Sequence, residues 1–317
     1  MTNPPFVSFI GHGAASLAPP GVFTGATSYA FGFRASREAM QTRVDSILNP
    51  VGGTTVRYDV GVDAAMLTFM GIERCTSGTD AIGWEPGREC ALWVPLIETD
   101  LATRRRRFVL WTPYIFIDYT IGMLTGREVW GWPKVGGRIT LADDDPSGPA
   151  TFCCATTLLE TLAPATEAQV GPLLTVTGDA PLPEPRSQWG GGRLEATKMF
   201  VEALLSGIES KLIDPLLTGP ILPTVQLKQF RDSLDPTRAC YQAIVDSPAQ
   251  ITGFVGAGPL EWWAYELAIT TCESHQIVAD LLGRAPDQGS TVVPLSFGAW
   301  ASFDLAALPG RVVATTT

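Results

Sequence analysis

Charge and imidazole are what this sequence has least of. Charged residues make up 17% of the 317-residue chain, against the ~25% usual for soluble domains, and acidic side chains outnumber basic ones 32 to 22 for a formal net charge of −10. A chain this poor in cations cannot displace many phosphate counterions, so nucleic acid is excluded as a partner. With only His12 and His275, a histidine-based triad has little material. The six cysteines (Cys75, Cys90, Cys153, Cys154, Cys240, Cys272) form no C-x-x-C pair. A zinc or iron site built from His and Cys is therefore not expected, and free, mostly buried thiols suit a cytoplasmic chain. The first residues carry no basic, apolar leader. The most apolar stretch, Phe108 to Leu124, is interrupted by Pro113 and Asp118 and falls short of the ~20 residues of a membrane helix.

What is present is hydrophobic matter and turn residues: 45% apolar, 32 glycines and 25 prolines. That mixture reads as a strand-rich fold with a sizeable core. Tyr29, Phe31 and Phe33 alternate with Ala30 and Gly32, the mark of a half-buried strand, and Ser36 then offers an N-cap to a short helix. Strands are expected at 54–60, 65–72, 89–97, 106–117, 136–142, 150–157, 170–177, 222–230, 239–247, 250–257 and 292–307. A short helix is expected over Ile121 to Trp130, and a helical pattern between about 260 and 284. Residues 194–213 read as the one long amphipathic helix, stopped by Pro215 and following a hinge at Gly190–Gly192; it is expected to be either a lid over a larger pocket or an oligomer surface. The fold class is thus α+β, mainly antiparallel. An irregular arm, 1–26, precedes a single domain, 27–315, with an insertion over about 160–220.

Candidate chemistry is sparse. The run Arg104–Arg107 between two strands reads as a solvated hairpin tip or oligomer contact. Lysines are few, and Lys134 lies in G-R-E-V-W-G-W-P-K, beside Trp130 and Trp132. Pro133 ends the preceding helix and makes Lys134 the opening of a strand. Such a lysine is either a desolvated amine or a stem lying over an indole with its ammonium in water.

The segment Gly126-Arg127-Glu128 followed by Pro133-Lys134 resembles the signature of the acetoacetate decarboxylase family. Phe33-Arg34 resembles that family's N-terminal segment, and Gly87-Arg88-Glu89-Cys90-Ala91-Leu92-Trp93-Val94-Pro95 its carboxylate-bearing strand. Downstream, Leu227–Val245 and Phe303–Pro309 also resemble family segments. The resemblance implies a cone-shaped, closed, barrel-like sheet with peripheral helices and an imine-forming Lys134. It further implies an acid/base Glu89, an active-site Arg34 and a homo-oligomer without cofactor. The family's second lysine is replaced here by Val135, and Thr68 stands nearest the position of a further carboxylate.

An imine needs a neutral amine, and here burial among Trp130, Trp132 and other apolar walls has to disfavour the ammonium. Arg34 is expected to pair with Glu89 and set it up for proton transfer. The leading expectation is a lyase that decarboxylates a small β-keto acid. The alternatives are imine-dependent aldol condensation with dehydration, or hydration, of a 2-oxo acid or enone, and a non-catalytic binding member of the fold.

Overall fold

The computed structural model describes residues 5–8, 11, 16–144, 149–179, 197, 198, 205 and 207–316. The elements run β1 (Gly21–Arg34), α1 (Arg37–Ile47), α2 (Asn49–Gly52), β2 (Val56–Val60), β3 (Ala64–Ser77), β4 (Glu85–Asp100), β5 (Arg106–Ile117) and α3 (Thr120–Thr125). A π-helical turn over Gly126–Trp130 leads to β6 (Lys134–Thr140), β7 (Ala150–Leu158), β8 (Gln169–Gly178) and α4 (Ser210–Thr218). There follow β9 (Ile221–Leu222), β10 (Thr224–Arg231), β11 (Ala239–Asp246), β12 (Ala249–Pro259), β13 (Tyr265–Thr270), β14 (Ser290–Ala307) and β15 (Arg311–Thr315).

One mixed sheet carries all fifteen strands. Its central path is β5-β6-β7-β8-β13-β14-β1-β3-β4, and β4 pairs again with β5, so the pairings return to their starting strand. Most pairs are antiparallel; β5 with β6 and β5 with β10 are parallel.

Side-chain alternation gives the sheet two apolar faces. On one face Tyr29 and Phe31 of β1, Leu67 and Phe69 of β3, and Cys90 and Leu92 of β4 enter the main core. Phe152 of β7 stands among them, its ring centroid 4.9 Å from Tyr29, 5.2 Å from Phe31 and 5.4 Å from Phe69. The intervening residues, Ser28 and Ala30, Thr68 and Met70, Glu89 and Ala91, face a cavity on the other side. That face is covered in part by α4, whose Leu212, Ile213 and Leu216 pack on Ile97, Phe108 and Leu110.

Ser36 caps α1 as its sequence implies, accepting from the Ala39 amide at 3.3 Å, and β6 opens at Lys134. Four expectations need correction. First, β1 begins at Gly21, inside the segment read as an irregular arm, because pairing to both β14 and β3 overrides its turn-rich composition. Second, the region 160–220 is not wholly an insertion: β8 pairs with β7 and β13 as an integral strand. Third, the expected 194–213 helix is not continuous. Leu205, Gly207 and Ile208 are non-helical, and α4 starts only at Ser210, where its leucines find the sheet; Pro215 lies inside α4 instead of ending it. Residues 194–196, 199–204 and 206 of that helix, and the Gly190–Gly192 hinge, lie outside the described residues. Fourth, β13 falls within the span read as helical, since its apolar residues fit either period and a slot between β8 and β14 decides for a strand. The arginine run is used partly for ion pairs, Arg106 with Glu209 and Arg107 with Glu98 and Asp246.

Candidate active site

Glu89 lies on β4 opposite Met70 of β3 and Ile117 of β5. Lys134, first residue of β6, lies opposite Ile115 in the parallel pair of β5 and β6. The two positions are thus one same-face step apart along β5, a gap that a lysine side chain spans. Lys134 Nζ donates to Glu89 Oε1 at 2.7 Å, with the lysine side chain 8% exposed and the carboxylate side chain 14%.

The motif around Lys134 has a local explanation. Pro133 keeps the chain extended, and the Arg127 guanidinium donates to the Lys134 carbonyl at 2.9 Å, fixing the start of β6. Gly126 has no side chain because the Lys134 stem lies against it: a β-carbon there would stand 2.6 Å from Cδ and 2.7 Å from Cε. Gly131, at φ +82°, ends the π-helical turn, and Trp130 anchors it by donating from Nε1 to the Leu308 carbonyl at 2.8 Å.

A residue that sequence reasoning missed completes the group. The Tyr119 hydroxyl donates to Glu89 Oε1 at 3.0 Å, and its ring centroid lies 5.9 Å from Lys134 Nζ. The ring is wedged between Gly87 and Gly122, where β-carbons would run into it. Burial, and next the negative charge of Glu89, push the Tyr119 hydroxyl well above the ordinary phenol range, so it remains a donor. Cys75 beside it is pushed up to about 12, chiefly by burial, and stays a thiol. Nothing in the linear sequence marks Tyr119, because its glycine neighbour Gly87 is distant along the chain.

Lys134 and Glu89 open on a cavity of about 310 Å³, to which Thr68, Trp130 and Trp132 also contribute. The Trp93 indole donates to Thr68 Oγ1 at 2.9 Å and meets Trp132 edge-on at 5.7 Å. Of the six residues singled out from the sequence, five therefore meet at one place. Arg34 does not. It is the exposed last residue of β1, one same-face step beyond Gly32, whose partners Met66 and Phe297 are the last lining residues of β3 and β14 in that direction. Its expected pairing with Glu89 is replaced by the Lys134–Glu89 pair. Among the described residues, no cluster of three or more His, Cys, Asp or Glu side chains is placed to hold a metal, and no helix is long and apolar enough to cross a membrane.

No family model matches the sequence, and no curated protein matches it. Solved structures do match the fold. Acetoacetate decarboxylase from Legionella pneumophila covers 99% of this chain and 99% of its own, at 13% identity and a TM-score of 0.58. An acetoacetate decarboxylase-like enzyme from Sphingomonas wittichii RW1 covers 94% of this chain and 93% of its own, at 14% identity and a TM-score of 0.55. The enduracididine biosynthesis enzyme MppR, complexed with pyruvate, covers 96% and 94%, at 15% identity and a TM-score of 0.50. At these identities the likeness is one of fold, and it agrees with the resemblance carried by the G-R-E…P-K segment: this chain has the acetoacetate decarboxylase-like fold.

Proposed function

We infer that this protein is an imine-forming carbon–carbon lyase that decarboxylates a β-keto acid through Lys134. The observation that carries this reading is the 2.7 Å contact of Lys134 Nζ with Glu89 Oε1 at the wall of an apolar cavity. A buried amine needs a base to take its proton before it can attack, and the contact supplies one at hydrogen-bond distance.

In the proposed sequence Glu89 accepts a proton from the Lys134 ammonium, and the neutral amine adds to the substrate ketone. The carbinolamine loses water to give a protonated imine. The bond from the α-carbon to the carboxylate then breaks, its electron pair moves toward the iminium nitrogen, and CO₂ and an enamine result. Glu89, having given its first proton to the departing hydroxyl, takes a second from solvent and delivers it to the α-carbon, which regenerates the iminium, and water releases the ketone and Lys134. One proton is consumed overall, as the loss of CO₂ from a carboxylate requires. Tyr119 donates to the same Glu89 oxygen as the amine and so holds the carboxylate beside it.

A second reading, imine-dependent condensation of a 2-oxo acid, draws on MppR, whose structure is described as complexed with pyruvate. The two readings place different demands on the pocket. A 2-oxo acid keeps its carboxylate throughout, and an unpaired carboxylate in an apolar site is costly. A β-keto acid loses its carboxylate in the reaction. Among the described residues lining the cavity, Lys134 is the one cation, which favours decarboxylation.

The test is borohydride reduction in the presence of 3-oxo acids and, separately, pyruvate, followed by mass spectrometry and CO₂ measurement. A reduced adduct on the peptide containing Lys134, with CO₂ released from the 3-oxo acid, is the expected result. An adduct with pyruvate and no CO₂ from any 3-oxo acid selects condensation. Full activity in Lys134→Ala would overturn both, and neither adduct nor turnover in the parent with any oxo acid would leave a binding protein on this fold.

A further inference from the structure

The cavity is larger and more apolar than a four-carbon substrate requires. Apart from Lys134 and Glu89, the ionisable pair, the polar side chains on its described wall are the hydroxyls of Ser28, Thr68, Thr197 and Thr224 and the indoles. The remainder is hydrocarbon and aromatic surface. Even if each heavy atom is given the ~30 Å³ that a water occupies in the liquid, the seven heavy atoms of 3-oxobutanoate leave roughly a third of the 310 Å³ unfilled.

The cavity is also elongated. Phe297, Ala299, Ala301, Phe303, Leu305 and Ala307 of β14 all face it. At about 3.3 Å per residue that stretch covers roughly 30 Å of strand, several times the width of a compact space of equal volume. The row of paired residues that contains Glu89 (Met70, Ser28 and Ala301) crosses β14 near the middle of this stretch. Hydrocarbon therefore extends away from the amine toward both ends. One end is closed by Phe23 and Ile251, which pair in register with Leu305, and the other includes Phe297 and Met66, both partners of Gly32. Small residues, Ala30, Ala299 and Ala301, keep the floor between them open.

We propose that the substrate is a 3-oxo acid with an unbranched apolar tail, eight carbons or longer in total, and that the product is a long-chain methyl ketone. This rests on the imine-dependent decarboxylation argued above for Lys134. The tail fills the alanine-floored trough, the ketone carbon meets Lys134, and the carboxylate, for which the described wall offers no second cation, leaves as CO₂.

The experiment is a series of 3-oxo acids from four to fourteen carbons, scored by kcat/KM for CO₂ release. In parallel, 2-undecanone and 2-butanone are titrated into Lys134→Ala by tryptophan fluorescence, since Trp93, Trp130, Trp132 and Trp300 line the cavity. A methylene moved from water to an apolar site gains about fourfold in affinity, so kcat/KM should rise on the order of 100-fold between four and eight carbons. 2-Undecanone should bind Lys134→Ala at least as selectively over 2-butanone. Filling the two ends by Ala307→Leu and Met66→Trp should shift the preferred length downward in at least one variant.

Equal kcat/KM across the series, with an adduct on Lys134, overturns the tail and leaves the imine reading standing. No adduct and no CO₂ at any length, with tight and selective 2-undecanone binding, removes the imine reading and retains the apolar ligand class. A length optimum unmoved by both filling variants overturns the assignment of the tail to this trough.

Discussion

The Lys134 stem lies across Gly126 so closely that an alanine β-carbon would stand 2.6 Å from Cδ and 3.3 Å from the nitrogen itself. The atoms it would displace belong to the far part of a flexible side chain, so the backbone need not move. Gly126→Ala is therefore expected to fold with a stability within about 1–2 kcal/mol of the parent, the lower range for overpacking. The ammonium is expected to shift from Glu89 Oε1 and borohydride trapping to slow at least tenfold. Parent-like trapping in this variant would show that the 2.7 Å contact is dispensable.

Tyr119→Phe tests the other hydrogen bond to Glu89. Removing a donor to a charged, buried acceptor costs about 1.5–3 kcal/mol, measurable by urea unfolding. The pH dependence has a defined sign. In the folded protein the phenol is held protonated well above its ordinary range by burial and by Glu89. In the unfolded chain it releases its proton near pH 10. The fold is therefore favoured by Tyr119 below pH 10, and that contribution is lost as pH rises beyond it. Tyr119→Phe should show a flatter decline of stability above pH 10 than the parent; an unchanged slope would mean that the ring is not held protonated.

Arg34→Ala separates what the family resemblance implies from what the fold does. The side chain is exposed at the end of β1, and the cavity-facing residue of that strand is Ala30. Trapping and turnover are expected to stay within about twofold of the parent, as for most surface substitutions away from special contacts. A loss of tenfold or more would place Arg34 in the site despite its position.

The contrast between Arg34 and the other residues shows what could be read from sequence. Strand positions were legible wherever period-2 alternation stood alone: the expected 106–117 strand is β5, and 150–157 is β7 to within a residue. Lys134, Trp130, Trp132 and Pro133 lie in one short segment, so their proximity is guaranteed by covalent connection. Glu89 joins them through sheet register, which the ordered resemblance captured. Arg34 was misplaced because parity gives the face but not the distance along a strand. Its parity matches Ala30, yet it lies beyond the end of the cavity. Tyr119 was invisible because its position depends on Gly87 and Gly122, whose role is to leave room for it. The cavity's length could not be read either, since it arises from one face of β14 meeting β12 and α4.

Phe152→Ala examines the division of the sheet into a core face and a cavity face. The Phe152 ring is fully buried among Tyr29, Phe31 and Phe69, whose side chains alternate with the cavity-facing residues of the same strands. Truncating a buried phenylalanine removes its transfer energy and leaves a void, a cost of about 3–5 kcal/mol. The urea midpoint should fall accordingly. Yet Phe152 does not line the cavity, and the backbone of β1 and β3 stands between it and Lys134. Below the unfolding transition, the fraction of protein trapped by borohydride should match the parent. A variant that keeps its stability would remove Phe152 from the core, and one that stays folded but cannot be trapped would mean that the two faces of the sheet are coupled.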